Sequence, residues 1–149
     1  MNRSDVVVID YGMGNLLSVR RGLEHCGASV EVSSDPKVIQ NAVRVVLPGV
    51  GAFSDAMSEL QRLQLVDVVR EVALKGRPVL GICLGMQMLL DESEEFGRTS
   101  GLGLIHGKVV PLAAENMGDN VLKVPHVGWN ELYPSKSRLS WSNTLLREV

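Results

Sequence analysis

The fold is organised around the stretch Pro78-Val-Leu-Gly-Ile-Cys83-Leu-Gly-Met-Gln87. It opens with an apolar run at residues 79–82, typical of a buried strand, and continues with a helix-like pattern. Three apolar side chains of that pattern share one face, Met86, Leu89 and Leu90. Cys83 has a glycine two residues before it and two residues after it. Because glycine has no Cβ, strand and helix can pack closely around a sharp turn, so the pattern predicts a nucleophile elbow.

The position of Cys83 at the start of this predicted helix also indicates its chemistry. A helix N-terminus gathers backbone N–H groups and positive potential, which favour a thiolate and stabilise an oxyanion. The alternative is a buried cysteine in an ordinary strand-to-helix turn. The flanking glycines favour the nucleophile, with its sulfur lifted above the sheet.

The composition is that of an ordinary folded domain. The 149 residues are enough for a single domain over residues 1–149, and 45% of them are hydrophobic. A net charge of −2 argues against a nucleic-acid surface, and no apolar run reaches membrane-spanning length. The two distant cysteines give neither a disulfide framework nor a zinc spacing, and the N-terminus shows no signal peptide. We expect a cytoplasmic protein without nucleic-acid or membrane partners.

Strands alternate with helices in the first half of the chain. Strands are predicted at residues 5–10, 29–33, 44–47 and 79–82. Helices are predicted from Leu16, from Asp35-Pro36, and over residues 55–63 and 65–75, and Cys26 is expected in the core on the apolar stripe of the first. The alternation predicts an α/β fold, a mostly parallel sheet with helices on both faces and a flavodoxin-like core.

The second half of the chain is less regular. Residues 91–95 form an acidic segment, and residues 96–103 are expected to form a loop. Short strands are predicted at residues 105–112, 121–125 and 129–133.

Three predicted loops meet at the C-terminal edge of the sheet, where parallel α/β folds bind ligands. They are the turn after Asp10, the loop Pro48-Gly-Val-Gly51 and the elbow. The glycines of the second loop let backbone N–H groups reach a substrate carbonyl, which indicates a further oxyanion donor; alone it would be an ordinary loop. Gly12-Met-Gly14 partly matches a dinucleotide fingerprint, but Leu17 replaces its third glycine, so a tight turn is favoured. No cofactor and no metal are expected.

A cysteine nucleophile usually needs a histidine base, and the chain has three histidines. His25 lies beside the apolar stripe of the first helix, and His106 begins a strand without a recognisable partner. His126 lies in a distinctive loop, but nothing in the sequence brings it near Cys83. The residues alone therefore identify a nucleophile and an oxyanion loop, but no base.

Together these segments resemble the class I glutamine amidotransferases. The run from Gly81 to Gln87 is similar to their nucleophile segment, with Leu84 where related cysteine-peptidase-like proteins often carry histidine. Within the family the resemblance is greatest to the glutaminase subunits of imidazole glycerol phosphate synthase. It covers the chain from the first strand to Tyr133 and rests on further segments in the same order, residues 10–16, 47–53, 92–97 and 125–130.

The resemblance implies that Cys83 attacks the side-chain amide of glutamine. A thioester forms, ammonia leaves, and water releases glutamate. The residues implied to bind the oxyanion or the substrate are Gly49, Val50, Gly51, Leu84, Gln87 and Glu95. The carboxylate of Glu95 suits the substrate's ammonium group, although it is also explained as one more charge in a solvated acidic turn.

The resemblance also implies a protein partner. Asn15, Trp129 and Asn130 match the face that meets the cyclase subunit, a (β/α)8 barrel, in a heterodimer. Ammonia would pass to that subunit, which makes imidazole glycerol phosphate and aminoimidazole carboxamide ribotide in histidine biosynthesis. A core position for Trp129 is the structural alternative.

The sequence departs from the family pattern in one respect. The family's catalytic histidine and glutamate lie in a downstream His-Pro-Glu motif, and no histidine here precedes Pro-Glu. The chain therefore resembles the N-terminal part of the subunit, with the C-terminal part of the fold missing, and we expect the 149-residue chain alone to be inactive. Alternatives are a paralogue that supplies ammonia to another acceptor, a catalytically incomplete binding subunit, and an unrelated cysteine hydrolase, which Leu84 and Gln87 disfavour.

Overall fold

The computed structural model describes residues 4–111, 128–134, 140–142 and 144. The chain divides into two compact units, residues 1–111 and 112–149. All regular elements described below lie in the first unit. That the whole chain forms one domain stays a prediction.

Within the described residues, the main sheet has four parallel strands in the order β2-β1-β3-β4. The strands are β1 (Val6–Ile9), β2 (Val30–Ser33), β3 (Val45–Leu47) and β4 (Val79–Gly81). In the register of the sheet, Val7 of β1 is opposite Val45 of β3, which in turn is opposite Val79 of β4. This parallel order is the flavodoxin-like arrangement that the alternation of strands and helices predicts.

In the part of the chain that the structure describes, five helices connect or follow these strands: α1 (Leu16–His25), α2 (Pro36–Asn41), α3 (Phe53–Arg62), α4 (Val66–Leu74) and α5 (Leu84–Met88). The Asp35 side chain caps α2 by accepting the Lys37 N–H at 2.8 Å, and Pro36 occupies the first turn. Gly27 ends the α1 region with φ +86°, a conformation in which glycine has no steric penalty.

Alternate side chains of β1 point to opposite faces of the sheet, and all four are at most 6% exposed. Val6 and Val8 belong to the apolar cluster that includes Leu16, Val19 and Leu23 of α1. Val7 and Ile9 belong to the larger cluster, which draws buried residues from α2, α3, α4 and α5. The helices therefore cover both faces, and the loops that follow the strands gather at one edge.

A second, three-stranded sheet follows α5. It is formed by β5 (Leu90–Ser93), β6 (Thr99–Ser100) and β7 (Ile105–Val109), with β5 parallel to β7 and antiparallel to β6. Only β7 was predicted from the sequence; the prediction of a loop over residues 96–103 was wrong at β6, and β5 lies where an acidic segment obscures the apolar pattern. Arg70 of α4 donates a 2.9 Å hydrogen bond to the Leu102 carbonyl and holds the segment after β6.

Three further predictions were wrong. Helix α5 ends at Met88, so Leu90 belongs to β5, and Met86 within the helix is 52% exposed. Cys26 follows the last turn of α1 and is exposed, because the helix ends before the apolar stripe reaches it. Residues 129–133 form no strand and are exposed, whereas the strand predicted at residues 121–125 lies outside the described residues. Among the helices described, none has the length and apolar character needed to cross a membrane.

Candidate functional site

Cys83 occupies a strained turn between β4 and α5. Its backbone has φ 56° and ψ −118°, although it carries a side chain, and it is the N-cap of α5. Non-glycine residues in such conformations cost on the order of 1–3 kcal/mol and cluster at functional sites. The cysteine is free and exposed, so the turn presents its thiol to solvent, as the elbow pattern predicts.

The two glycines around Cys83 are required by close backbone contacts. A Cβ on Gly85 would lie 1.8 Å from the Leu47 carbonyl oxygen, and one on Gly81 would lie 2.5 Å from the Met86 Cα. Such distances leave no space for any side chain. The first turn of α5 is therefore packed directly on the end of β3, which fixes the height of Cys83 above the sheet.

Several backbone N–H groups near Cys83 are available to a ligand. In the part of the chain that the structure describes, the N–H groups of Gly49, Val50 and Leu84 donate to no protein acceptor. The N–H groups of Met86 and Gln87 instead donate to the Cys83 carbonyl, at 3.0 and 3.3 Å. These three N–H groups therefore remain free to donate to an oxygen of a ligand.

The loop of residues 48–51 packs between the elbow and the loop after β1. A Cβ on Gly49 would lie 2.8 Å from the Gly85 nitrogen and 2.9 Å from the Leu84 Cβ. On the other side, the buried Tyr11 hydroxyl donates a 2.8 Å hydrogen bond to the Pro48 carbonyl. Burial raises the pKa of Tyr11 to about 12, so this hydroxyl remains a donor at neutral pH. The sequence pattern did not identify Tyr11, because its partner lies 37 residues away.

Glu95 is held at the N-terminus of α3. Its Oε2 atom accepts the Phe53 N–H at 2.8 Å, and its own N–H donates to the Ser93 Oγ at 3.1 Å. Ser93 is fully buried, and Ala52, the local N-cap, offers α3 no side-chain acceptor. The Glu95 carboxylate therefore caps α3 and is more than one charge in a solvated acidic turn. Its hydrogen bonds connect the end of β5 to the start of α3, next to the loop 48–52.

The remaining predicted residues have simpler surroundings. Gln87 lies on α5 one turn after Cys83 and is half-buried. Asn15 is exposed and caps α1 by accepting the Ser18 N–H at 3.2 Å. In the second unit Trp129 is fully exposed, and Asn130 is exposed as well.

No base for Cys83 is identified among the described residues. His25 ends α1 and is exposed, and the fully exposed His106 has its Nδ1 atom 3.4 Å from the Asp91 Oδ2. His126, which was predicted to lie in a loop, is outside the described residues. Within the described ranges no group of three histidine, cysteine or acidic side chains is arranged to hold a metal ion.

Four surface clefts lie away from the predicted site residues. One of them, of about 590 Å³, lies between α3 and β6 and is lined partly by Ser54, Gln61 and Thr99. None of the predicted site residues lines any of the four. The strained cysteine and the unoccupied donors beside it identify the site better than the shape of the surface does.

Comparisons with known proteins concern the family and the fold of the chain. The family described as "Glutamine amidotransferase class-I" matches residues 7–140. A crystal structure of a glutamine amidotransferase superimposes with a TM-score of 0.62 at 18% sequence identity, over 74% of this chain and 59% of the other. At that identity the likeness concerns the fold alone.

Two curated relatives are much more similar in sequence. "Imidazole glycerol phosphate synthase subunit HisH 1" of Legionella pneumophila (strain Lens) is 47% identical over 146 residues, 98% of this chain and 68% of the relative. "Imidazole glycerol phosphate synthase subunit HisH" of Bacillus subtilis (strain 168) is 53% identical over 125 residues, 84% of this chain and 59% of the relative. The chain thus spans between 59% and 68% of the length of these two relatives.

Proposed function

The chain belongs to the class-I glutamine amidotransferase family, and we propose that it is the glutaminase subunit that supplies ammonia to imidazole glycerol phosphate synthase in histidine biosynthesis. The observation that carries the proposal is the strained, exposed Cys83 at the start of α5. The positive φ of this free cysteine is strained, and the two glycines that hold it in place cannot be replaced by any residue with a side chain. Strain of this kind clusters at functional sites, which favours a catalytic role for Cys83.

The proposed chemistry has two stages. The Cys83 sulfur forms a bond to the side-chain amide carbon of glutamine. The C–N bond then breaks, the nitrogen leaves as ammonia with the proton that the thiol gave up, and a thioester remains. Water then adds to the thioester, the C–S bond breaks, and glutamate leaves with the thiol restored. The N–H groups of Leu84, Gly49 and Val50 are suited to stabilise the oxyanion in both stages, since no protein acceptor in the described part occupies them.

Two side chains are proposed to hold the substrate. The second carboxylate oxygen of Glu95 remains for the ammonium group of glutamine while Oε2 stays on the Phe53 N–H. Gln87 and Gly51 complete the proposed substrate site from α5 and the loop 48–51.

The proposed partner is the cyclase subunit, a (β/α)8 barrel that would use the ammonia to make imidazole glycerol phosphate and aminoimidazole carboxamide ribotide. Asn15, Trp129 and Asn130 are proposed to contact it in a heterodimer; all three are exposed. The alternative of a catalytically incomplete binding subunit is favoured by one observation, that the described residues include no base for Cys83.

The test is covalent labelling by a chloroketone analogue of glutamine, 2-amino-4-oxo-5-chloropentanoate. The sulfur displaces chloride, so the reaction needs a bound glutamine-like ligand and a thiol, but no general acid to protonate a leaving amine. We expect peptide mapping to find the label on Cys83 and glutamine to protect it. Cys26 is an exposed internal control that should react with iodoacetamide but not with the analogue.

Matched variants separate the outcomes. Cys26→Ser should keep the protected labelling, and Cys83→Ser should abolish it. Equal labelling of both cysteines, or labelling of Cys83 that glutamine does not reduce, would contradict a glutamine site. Protected labelling without glutamine hydrolysis, even with the cyclase present, would favour the binding-subunit alternative and agree with the expected inactivity of this chain alone.

A further inference from the structure

Tyr11 is a buried polar residue that the proposed chemistry does not use. It lies just after β1 and is 1% exposed, and its hydroxyl donates a 2.8 Å hydrogen bond to the Pro48 carbonyl. Pro48 and Gly49 are buried too, and the described residues offer the Pro48 carbonyl no other donor. One phenol therefore satisfies the carbonyl at the start of the oxyanion loop.

This hydrogen bond fixes a peptide plane. In a trans peptide the C=O and the following N–H point in opposite directions, so the bond to the Pro48 carbonyl also sets the direction of the Gly49 N–H. Gly49 cannot set that direction itself, because glycine rotates freely about its backbone bonds. A less flexible residue cannot replace Gly49, because its Cβ would lie 2.8 Å from the Tyr11 hydroxyl.

We propose that Tyr11 is a positioning residue for the glutaminase reaction, whose hydroxyl holds the peptide between Pro48 and Gly49 in the orientation that offers the Gly49 N–H to the oxyanion. The inference deepens the proposed function and rests on it for the identity of the oxyanion. Tyr11 itself touches neither the substrate nor Cys83 in this role. Its effect passes through one peptide plane.

The experiment compares the whole chain with Tyr11→Phe, which removes only the hydroxyl, and with Arg77→Met as a matched control. Arg77 donates to the Gln40 and Ala42 carbonyls before β4, at the edge of the sheet opposite Cys83. Tyr11→Phe thus loses one side-chain hydrogen bond to a backbone carbonyl, and Arg77→Met loses two. The readouts are alkylation of Cys83 by the chloroketone analogue, its alkylation by iodoacetamide, and the Gly49 amide resonance in ¹⁵N NMR spectra.

Because the Gly49 N–H would polarise the ketone, Tyr11→Phe should lower the maximal rate of chloroketone alkylation. Loss of a whole oxyanion donor costs about 10²–10³ in rate, so a misaligned one should cost about tenfold. The reagent concentration at half-maximal rate and the iodoacetamide rate should not change, whereas the Gly49 resonance should shift. Arg77→Met should alter none of these.

An unmoved Gly49 resonance, an unchanged chloroketone rate, or an equal loss in the iodoacetamide rate would each overturn the inference. A merely structural role predicts the last result, since general distortion affects both reagents. If glutamine fails to protect Cys83 in the unmodified chain, the proposed function fails instead. The Gly49 resonance then still decides whether Tyr11 fixes this peptide, because that measurement needs no ligand.

Discussion

At the scale of single residues, Gly85 is the position least able to accept a side chain. Gly85→Ala would place a Cβ 1.8 Å from the Leu47 carbonyl oxygen, which is backbone and cannot rotate away. Overpacking typically costs about 1–3 kcal/mol, and this backbone clash should cost more than about 3 kcal/mol in the free energy of unfolding. Urea denaturation measures the loss.

The matched control is Gly22→Ala in the middle of α1, where a Cβ would meet nothing within 4 Å. Alanine favours a helix over glycine by roughly 0.5–1 kcal/mol, so this variant should gain stability. A Gly85→Ala protein as stable as the unmodified chain would show that the elbow relaxes at little cost.

The raised pKa of the buried Tyr11 predicts a loss of stability at high pH. Its pKa rises from 10.0 to about 12 on burial, so the folded state favours the protonated phenol. The contribution is complete below pH 10 and is lost as the pH rises through 12. One pKa unit is equivalent to 1.36 kcal/mol, so its size is about 2–3 kcal/mol.

The measurement is the free energy of unfolding in urea from pH 8 to 11.5. The stability advantage of the unmodified chain over Tyr11→Phe should shrink as the pH rises above 10. Both chains should carry Tyr133→Phe, because the hydrogen bond from the exposed Tyr133 to Glu131 raises the pKa of that tyrosine as well. A constant difference between the parent and Tyr11→Phe would contradict the burial of this hydroxyl.

At the scale of elements, helix α3 begins without a local side-chain cap and is capped from a distance by Glu95. Glu95→Gln keeps an oxygen acceptor for the Phe53 N–H but loses the charge, whereas Glu95→Ala loses both. Since losing an N-terminal cap costs about 1 kcal/mol, we expect that loss of stability from Glu95→Ala and a smaller one from Glu95→Gln.

Both Glu95 variants should weaken glutamine's protection of Cys83 at least about tenfold, because a charge-assisted bond to the ammonium group is lost. Asp35→Ala, which removes the cap of α2, is the matched control: it should lower stability but keep the protection. Full protection in Glu95→Gln would restrict this carboxylate to its structural role.

At the scale of the whole molecule, the two compact units carry different parts of the proposed function. The first contains the elbow, the loop 48–51 and Glu95, and the second contains Trp129. Trp129→Ala should leave the stability of the chain unchanged, because the indole is fully exposed. If it anchors the cyclase, the affinity should fall by at least about 2 kcal/mol, roughly 30-fold, as is usual for interface tryptophans.

Isothermal titration of the cyclase measures that affinity. Leu74→Ala, at a leucine of α4 that is 83% exposed, is the control for loss of an exposed apolar side chain and should bind normally. Unchanged binding by Trp129→Ala would remove this residue from the proposed interface.

The sequence by itself determined the parallel α/β core and the elbow. Both depend on local patterns: apolar runs of strand length, helix spacings between them, and glycines on either side of Cys83. The start of α2 at Asp35-Pro36 was predictable for the same reason, since Asp35 caps the helix by accepting the N–H of Lys37, two residues away.

Tertiary structure alone decided the features whose partners are distant in sequence. The bond from Tyr11 to Pro48 spans 37 residues, and the bond from Phe53 to Glu95 spans 42. The strands β5 and β6 were not predicted, because polar side chains interrupt the apolar alternation. Cys26 was wrongly expected in the core, because α1 ends at His25 and Cys26 lies beyond its last turn. Local periodicity specifies which face of an element is apolar, but only the packed fold determines which hydrogen-bonding groups meet.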